Sequence, residues 1–241
     1  MFDFGLIDAH CHLANTKLAD FNLKKHLEIK GIISCAMTPK DALWHKKQIN
    51  DKMNWVAGIH PLYKLEDSFS FDELEQLIKE KAIIGIGEIG LDSRGDDMQY
   101  QRDILLPQLA LARDYDLPVV FHVVKEYYTL LKLLKNNFPK TRGFFHSFHS
   151  SKQIVQEYNK LPIAFSLNCR STKVEVINEI TQTGKLLLET DAPCQKPLDS
   201  TDEFNSPANI NLSLQQVSEI SGLTRDELVK KQYDCYQQIF C

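Results

Sequence analysis

Residues 117–122 read LPVVFH. Val119, Val120 and Phe121 are apolar at adjacent positions, so a strand here has both faces covered, the pattern of a parallel strand buried between helices. His122 ends the run on a polar note. Seven other short runs share the form: GLIDAH (5–10), GIISCA (31–36), NWVAGI (54–59), AIIGIG (82–87), RGFFH (142–146), LPIAFS (161–166) and KLLLET (185–190). Helical periodicity fills the intervals. FDELEQLIKE (71–80) carries Phe71, Leu74, Leu77 and Ile78 on one stripe with acidic residues in its first turn. The segment 98–115 repeats Ile104, Leu105, Gln108, Leu109 and Ala112, with Pro107 predicting a kink or break. Further helices are expected over 125–137, 151–160, 172–181, 212–220 and 224–238, the last opened by a Thr224–Glu227 capping box.

Eight strands alternating with helices, with no linker or repeat, give an α/β fold, a single (β/α)8 TIM barrel occupying 1–241 as one domain. A doubly wound open sheet is the alternative, but it does not by itself bring the first and last strands together. Residues 193–207, rich in Pro, Asp, Ser and Asn, read as a long loop after the eighth strand.

Composition narrows the function. Hydrophobic residues make up 43% and charged residues 25%, enough for a large core. The formal charge of -4 gives no global attraction to nucleic acid or an anionic membrane, so a polyanion must be drawn in locally. KKHLEIK (24–30) and WHKKQ (44–48) read as solvated helix surfaces, and no basic stripe with interleaved aromatics is present. Cys11, Cys35, Cys169, Cys194, Cys235 and Cys241 are scattered and form no C-x-x-C pair. No export signal or long apolar run is seen, and a cytoplasmic protein without membrane contact is expected. The sequence implies no obligate protein partner and sets no oligomeric state.

The polar residues at the strand ends carry the chemistry. His10 and His12 share a face by strand periodicity, Cys11 faces away, and Asp8 falls in the same alternation, where it can orient a histidine or ligate an ion. Glu88 ends the fourth run, flanked by Gly85, Gly87 and Gly90, which permit close backbone approach. Asp92 suits substrate binding or a turn cap. His122 and His146 end the fifth and sixth runs, and Asp191 follows the eighth. Each alone suits an ordinary barrel-edge polar group. A barrel, however, gathers these ends around one mouth, where nitrogen and oxygen donors can hold one or two divalent ions and a carboxylate can bridge.

DAHCHL (8–13), GIHP (58–61), GEIGLD (87–92), LPVVFH (117–122), HSF (146–148), LLETDAP (187–193) and NSPANI (205–210) occur in this order. With them the sequence resembles the TatD family of metal-dependent hydrolases, within the amidohydrolase-like barrels, over nearly the whole chain. The resemblance implies that His10 and His12 bind the more buried metal and that Glu88 bridges. It further implies that His122 and His146 bind the second ion, and that Asp191 binds the first and positions the water. His60 would take a substrate-side role. It implies a deoxyribonuclease acting on DNA or nucleotides with one or two divalent ions, for which Mg, Mn and Zn lead. Two departures bear on substrate: Leu62 stands where the family usually has histidine, and Val124 where it has arginine. Lys64, Arg94 or Lys125 can compensate, and His149 is an added group near the mouth, so Arg94 and His149 join His60 as substrate-binding candidates. The alternatives are an amide, lactone or small phosphate-ester hydrolase using the same site, and a non-catalytic interaction barrel.

Overall fold

The computed structural model describes residues 2–48 and 50–241. Eight parallel strands follow one another around the sheet in chain order: β1 (Leu6–Cys11), β2 (Ile29–Ala36), β3 (Met53–Ala57), β4 (Ile86–Asp92), β5 (Val119–Val124), β6 (Gly143–Phe145), β7 (Ile163–Leu167) and β8 (Leu186–Leu188). Helices α1 (Pro39–Lys46), α2 (Phe71–Lys79), α3 (Met98–Asp114), α4 (Tyr127–Asn137), α5 (Lys152–Tyr158), α6 (Val174–Thr183), α7 (Ile210–Ser221) and α8 (Arg225–Phe240) return the chain. The architecture is the (β/α)8 barrel. Closure between β1 and β8 occurs at their C-terminal ends. His12 N–H donates to the Ala192 carbonyl (2.7 Å) and Asp191 N–H to that of His10 (2.9 Å). The Asp8 carboxylate extends this seam by accepting from Thr190 N–H (2.9 Å) and Thr190 Oγ1 (2.6 Å). Asp8 therefore staples the barrel and lies outside the candidate metal groups, in place of the ligand role the alternation suggested.

The core has two layers. One joins the outward strand side chains to the helices and includes Leu74, Leu105, Leu130 and Ile177. The other fills the barrel with Ile7, Ala9, Ile33, Cys35, Val56, Val120, Phe144, Ala164 and Leu187, and Phe2, Tyr236 and Ile239 complete it. Among the described residues, the groups of side chains able to hold a metal lie at the opposite, C-terminal mouth.

Several boundaries move. β4 begins at Ile86, so Glu88 sits inside a strand instead of ending one. Gly87 and Gly90 explain why this strand needs glycine: a Cβ on Gly87 would lie 2.6 Å from Val120 Cβ, and one on Gly90 would lie 1.8 Å from the His122 carbonyl oxygen. KKHLEIK is no helix surface; a 3-10 turn ends at Lys25 and β2 starts at Ile29. WHKKQ straddles the end of α1, whose His45 is buried against Trp55 instead of solvated. α3 passes through Pro107 unbroken. Pro107 removes the partner of the Asp103 carbonyl, but Asp103 is on the exposed face, where losing that bond costs least, while Ile104, Leu105, Gln108 and Leu109 share one buried face on either side.

Candidate metal centre

β1 and the residue that follows it supply the first two ligand candidates, His10 and His12, where the strand breaks its own alternation. Its register with β2 is irregular between Asp8 and Cys11; Ala9 lies in the inner cluster and Cys11 in the outer one. The irregularity brings His10 and His12 to the mouth together. His10 Nε2 lies 3.6 Å from both Glu88 Oε2 and Asp191 Oδ1, and His12 Nε2 lies 3.7 and 3.5 Å from the same atoms. Ligand bonds of about 2.1 Å in a tetrahedral shell place ligand atoms about 3.4 Å apart, close to this spacing. Both ring nitrogens of His10 are buried without a hydrogen-bond partner, so the donor set fits a divalent ion.

Glu88 Oε1 faces elsewhere. It lies 2.7 Å from His122 Nδ1 and 2.7 Å from His146 Nε2, with the two ring nitrogens 3.0 Å apart. One carboxylate therefore joins two histidine pairs. His122 Nε2 lies 2.8 Å from Asp92 Oδ2, an acceptor for its N–H, so that in the neutral ring the Nδ1 lone pair is the one directed toward Glu88 and His146. Asp92 is more than the turn cap or substrate contact considered from sequence: Arg94 Nε also donates to it (2.9 Å), and it accepts the Arg94 N–H (2.9 Å).

His10, Glu88 and Asp191 are in protonation states that suit ligation directly. Burial pulls His10 down to about 4. Burial opposes ionisation of Glu88 and Asp191, yet the surrounding histidines hold both below the usual carboxylate range. Neutral imidazole and ionised carboxylate are the forms that bind a cation. Against burial, the Asp92 and Glu88 carboxylates push His122 up to about 9 and those of Asp191 and Glu88 raise His12, so a bound ion must displace a proton from each. Directly beneath, Glu189 is pushed well above its ordinary value by burial and the Asp191 charge. It accepts from Ser147 N–H (2.7 Å) and Asn168 Nδ2 (3.4 Å), and Ser213 holds its carbonyl (2.8 Å). Its role as scaffold under the mouth was not singled out from sequence, because nothing local separates Glu189 from the end of an apolar run.

His60 lies in the same cluster, its Nε2 3.6 Å from Glu88 Oε1. Leu62 N–H donates to His60 Nδ1 (3.1 Å), and burial pulls the ring down to about 4. A neutral imidazole whose Nδ1 accepts carries its proton on Nε2, which makes His60 a donor at the mouth, while His60, Glu88 and His122 also form one of the groups close enough together to hold an ion.

α3 clamps the strand ends that bear these groups. Gln108 Oε1 accepts from Ile59 N–H (2.7 Å) and its Nε2 donates to the Ile59 carbonyl (3.2 Å); Gln101 does the same for Asp92, at 2.7 and 2.9 Å. Both glutamines are buried, seven residues apart on one face. Gln108 was visible as a polar member of an apolar stripe; its target was not.

The site opens into a cleft of about 870 Å³ lined by Arg94, Val124, Lys125 and His149 among others. Lys64 is not among the lining residues and pairs with Glu66 (3.9 Å) at the surface. Lys125, Ser147, Asp191 and Gln195, with φ of 62°, 45°, 55° and 47°, all line the cleft. These sharp left-handed turns concentrate backbone strain at the mouth, as functional sites often do.

A closed parallel barrel with histidines and carboxylates gathered at one end defines a metal-dependent barrel hydrolase. The chain belongs to the TatD family: the model described as TatD related DNase matches residues 7–241. It is 33% identical over 148 residues to the uncharacterized metal-dependent hydrolase YjjV of Escherichia coli K12, a match spanning 57% of each chain. The crystal structure of that TatD homolog superposes with a TM-score of 0.86 at 26% identity, covering 98% of this chain and 97% of that one. The uncharacterized metal-dependent hydrolase MJ1582 of Methanocaldococcus jannaschii is 25% identical over 238 residues, 95% of this chain and 94% of that protein. Human deoxyribonuclease TATDN3 is 25% identical over 253 residues, 94% and 91% of the two chains. Among the described residues, no helix is long and apolar enough to cross a membrane.

Proposed function

We propose that this chain is a phosphodiesterase acting on DNA, with Glu88 bridging two ligand groups, His10–His12–Asp191 and His122–His146. The observation that carries this reading is the division of the Glu88 carboxylate: Oε2 faces the first group at 3.6 to 3.7 Å and Oε1 the second at 2.7 Å. When bound, one or two divalent ions would activate water and neutralise phosphoryl charge. Asp191, ionised beside His10 and His12, is placed to accept the proton of the attacking water. His60 donates Nε2–H toward a phosphoryl oxygen, and Arg94, Lys125 and His149 supply the cationic or polar rim. Arg94 compensates for Val124: β4 and β5 pair Asp92 with Val124, so Arg94 leaves the neighbouring strand at that level. The name of human TATDN3 supports DNA as the substrate class.

The test is to strip the protein of metal and restore Mg, Mn or Zn singly. Cleavage is then followed on single-stranded and duplex DNA with free 3′ or 5′ ends, beside small phosphate esters, amides and lactones. Metal-dependent release of nucleotides is expected. Folded, metal-loaded protein that cleaves no phosphodiester refutes the proposal, and turnover confined to small esters, amides or lactones transfers the site to that chemistry.

A further inference from the structure

The turn after His60 presents large apolar side chains to solvent at the edge of a charged cleft: Leu62 is 43% exposed and Tyr63 39%. Tyr63 lines the cleft, its ring 5.4 Å from that of His60 at an interplanar angle of 61°. Its backbone is fixed from both sides, with Tyr63 N–H donating to the His60 carbonyl (3.0 Å) and Tyr100 Oη donating to the Tyr63 carbonyl (2.9 Å). Leu62 packs over Gly95, where an added Cβ would lie 2.7 Å from Leu62 Cδ2, tying this lip to the loop that carries Arg94. An anchored aromatic ring has little backbone freedom to lose on binding, and it offers a flat partner where the rest of the rim offers charge.

We propose that this lip is a subsite for a nucleobase, with the Tyr63 ring as its stacking platform; the proposal rests on the phosphodiesterase reading above. A phosphate ester seated between His60 and Arg94 carries its nearest base past Tyr63. Leu62 in place of a histidine then offers no further phosphate contact at this lip, leaving the base to the Tyr63 ring. Stacking on an aromatic side chain is sequence-tolerant, and its loss on alanine substitution corresponds to roughly five- to hundred-fold weaker binding.

The metal-loaded parent, Tyr63→Ala and Tyr63→Phe are compared on the thymidine dinucleotide and its two singly abasic analogues. One abasic analogue is expected to show a KM about tenfold higher with the parent. Tyr63→Ala should raise the KM of the dinucleotide by a similar factor without adding to the loss for that analogue, and Tyr63→Phe should restore the parent value. Equal loss on all three substrates, or no loss, overturns the subsite. A binding measurement independent of turnover uses Tyr63→Trp, with the parent as blank. Thymidine 5′-phosphate should quench the new indole and deoxyribose 5-phosphate should not. Equal response to both overturns the subsite even if the dinucleotide is never cleaved, an outcome that instead counts against the phosphodiesterase reading.

Discussion

Replacing Gln108 by leucine tests whether the α3 clamp holds the end of β3 and, through it, His60. The substitution preserves approximate shape and removes three hydrogen bonds, to Ile59 N–H (2.7 Å), the Ile59 carbonyl (3.2 Å) and the Ile104 carbonyl (2.9 Å). Ile59 and Gln108 are both 0% exposed, so neither Ile59 group can turn to water. Two buried unsatisfied backbone groups at about 1–3 kcal/mol each cost about 2–6 kcal/mol. Burying leucine carbon in place of the amide returns about 1 kcal/mol, leaving a net loss of about 1–5 kcal/mol. In a chain of this size that lowers Tm by roughly 2–20 °C. Urea and thermal unfolding of metal-free protein measure the loss, with exposed Gln99→Leu on the same helix as control. Activity of the metal-loaded variant under native conditions should also fall, because the residue next to Ile59 is His60. A Gln108→Leu protein within about 0.5 kcal/mol of the Gln99→Leu control would refute the clamp as a source of stability.

Three further outcomes follow from the same geometry. Added Mn or Zn should raise the parent Tm, by about 2.7 kcal/mol of stability at a hundredfold excess over Kd, and Glu88→Gln should abolish that gain, with equilibrium dialysis showing at least ~100-fold weaker binding; an undiminished metal-dependent gain would contradict the bridging role. Asp92→Ala removes the acceptor that directs the His122 N–H, so metal affinity should drop about 10- to 100-fold while the metal-free fold persists by circular dichroism; unchanged affinity would show that Asp92 does not orient His122. His45, pulled by burial to about 4 from an ordinary 6.5, favours the neutral ring when folded, so the stability it gives is present above pH 6.5 and is lost as pH falls toward 4. Between pH 7.5 and 5 the parent should lose about 2 kcal/mol more than His45→Asn, which keeps a donor to the Asp41 carbonyl; identical pH slopes in chemical denaturation would disprove the assignment.

What the sequence determined by itself was local and periodic. Adjacent apolar runs such as VVF at 119–121 identified buried parallel strands, the 3.6-residue rhythm of 71–80 and 98–115 identified their helices, and strand order followed because short connections in such a chain place successive strands side by side. The inventory of His10, His12, Glu88, His122, His146 and Asp191 was equally legible, since all six lie at or near the ends of those runs. The tertiary structure decided what a period cannot express. A register irregularity in β1 brings Ala9 inward and His10 and His12 to the mouth, while Asp8 seals the seam to Thr190, 182 residues away. Closure also turns the two oxygens of Glu88 toward different histidine pairs, assigns Asp92 to His122, and aims Gln101 and Gln108 at strand ends. These are side-chain directions and long-range partners, set by barrel curvature and by the need to satisfy buried polar groups, and no window of neighbouring residues contains them.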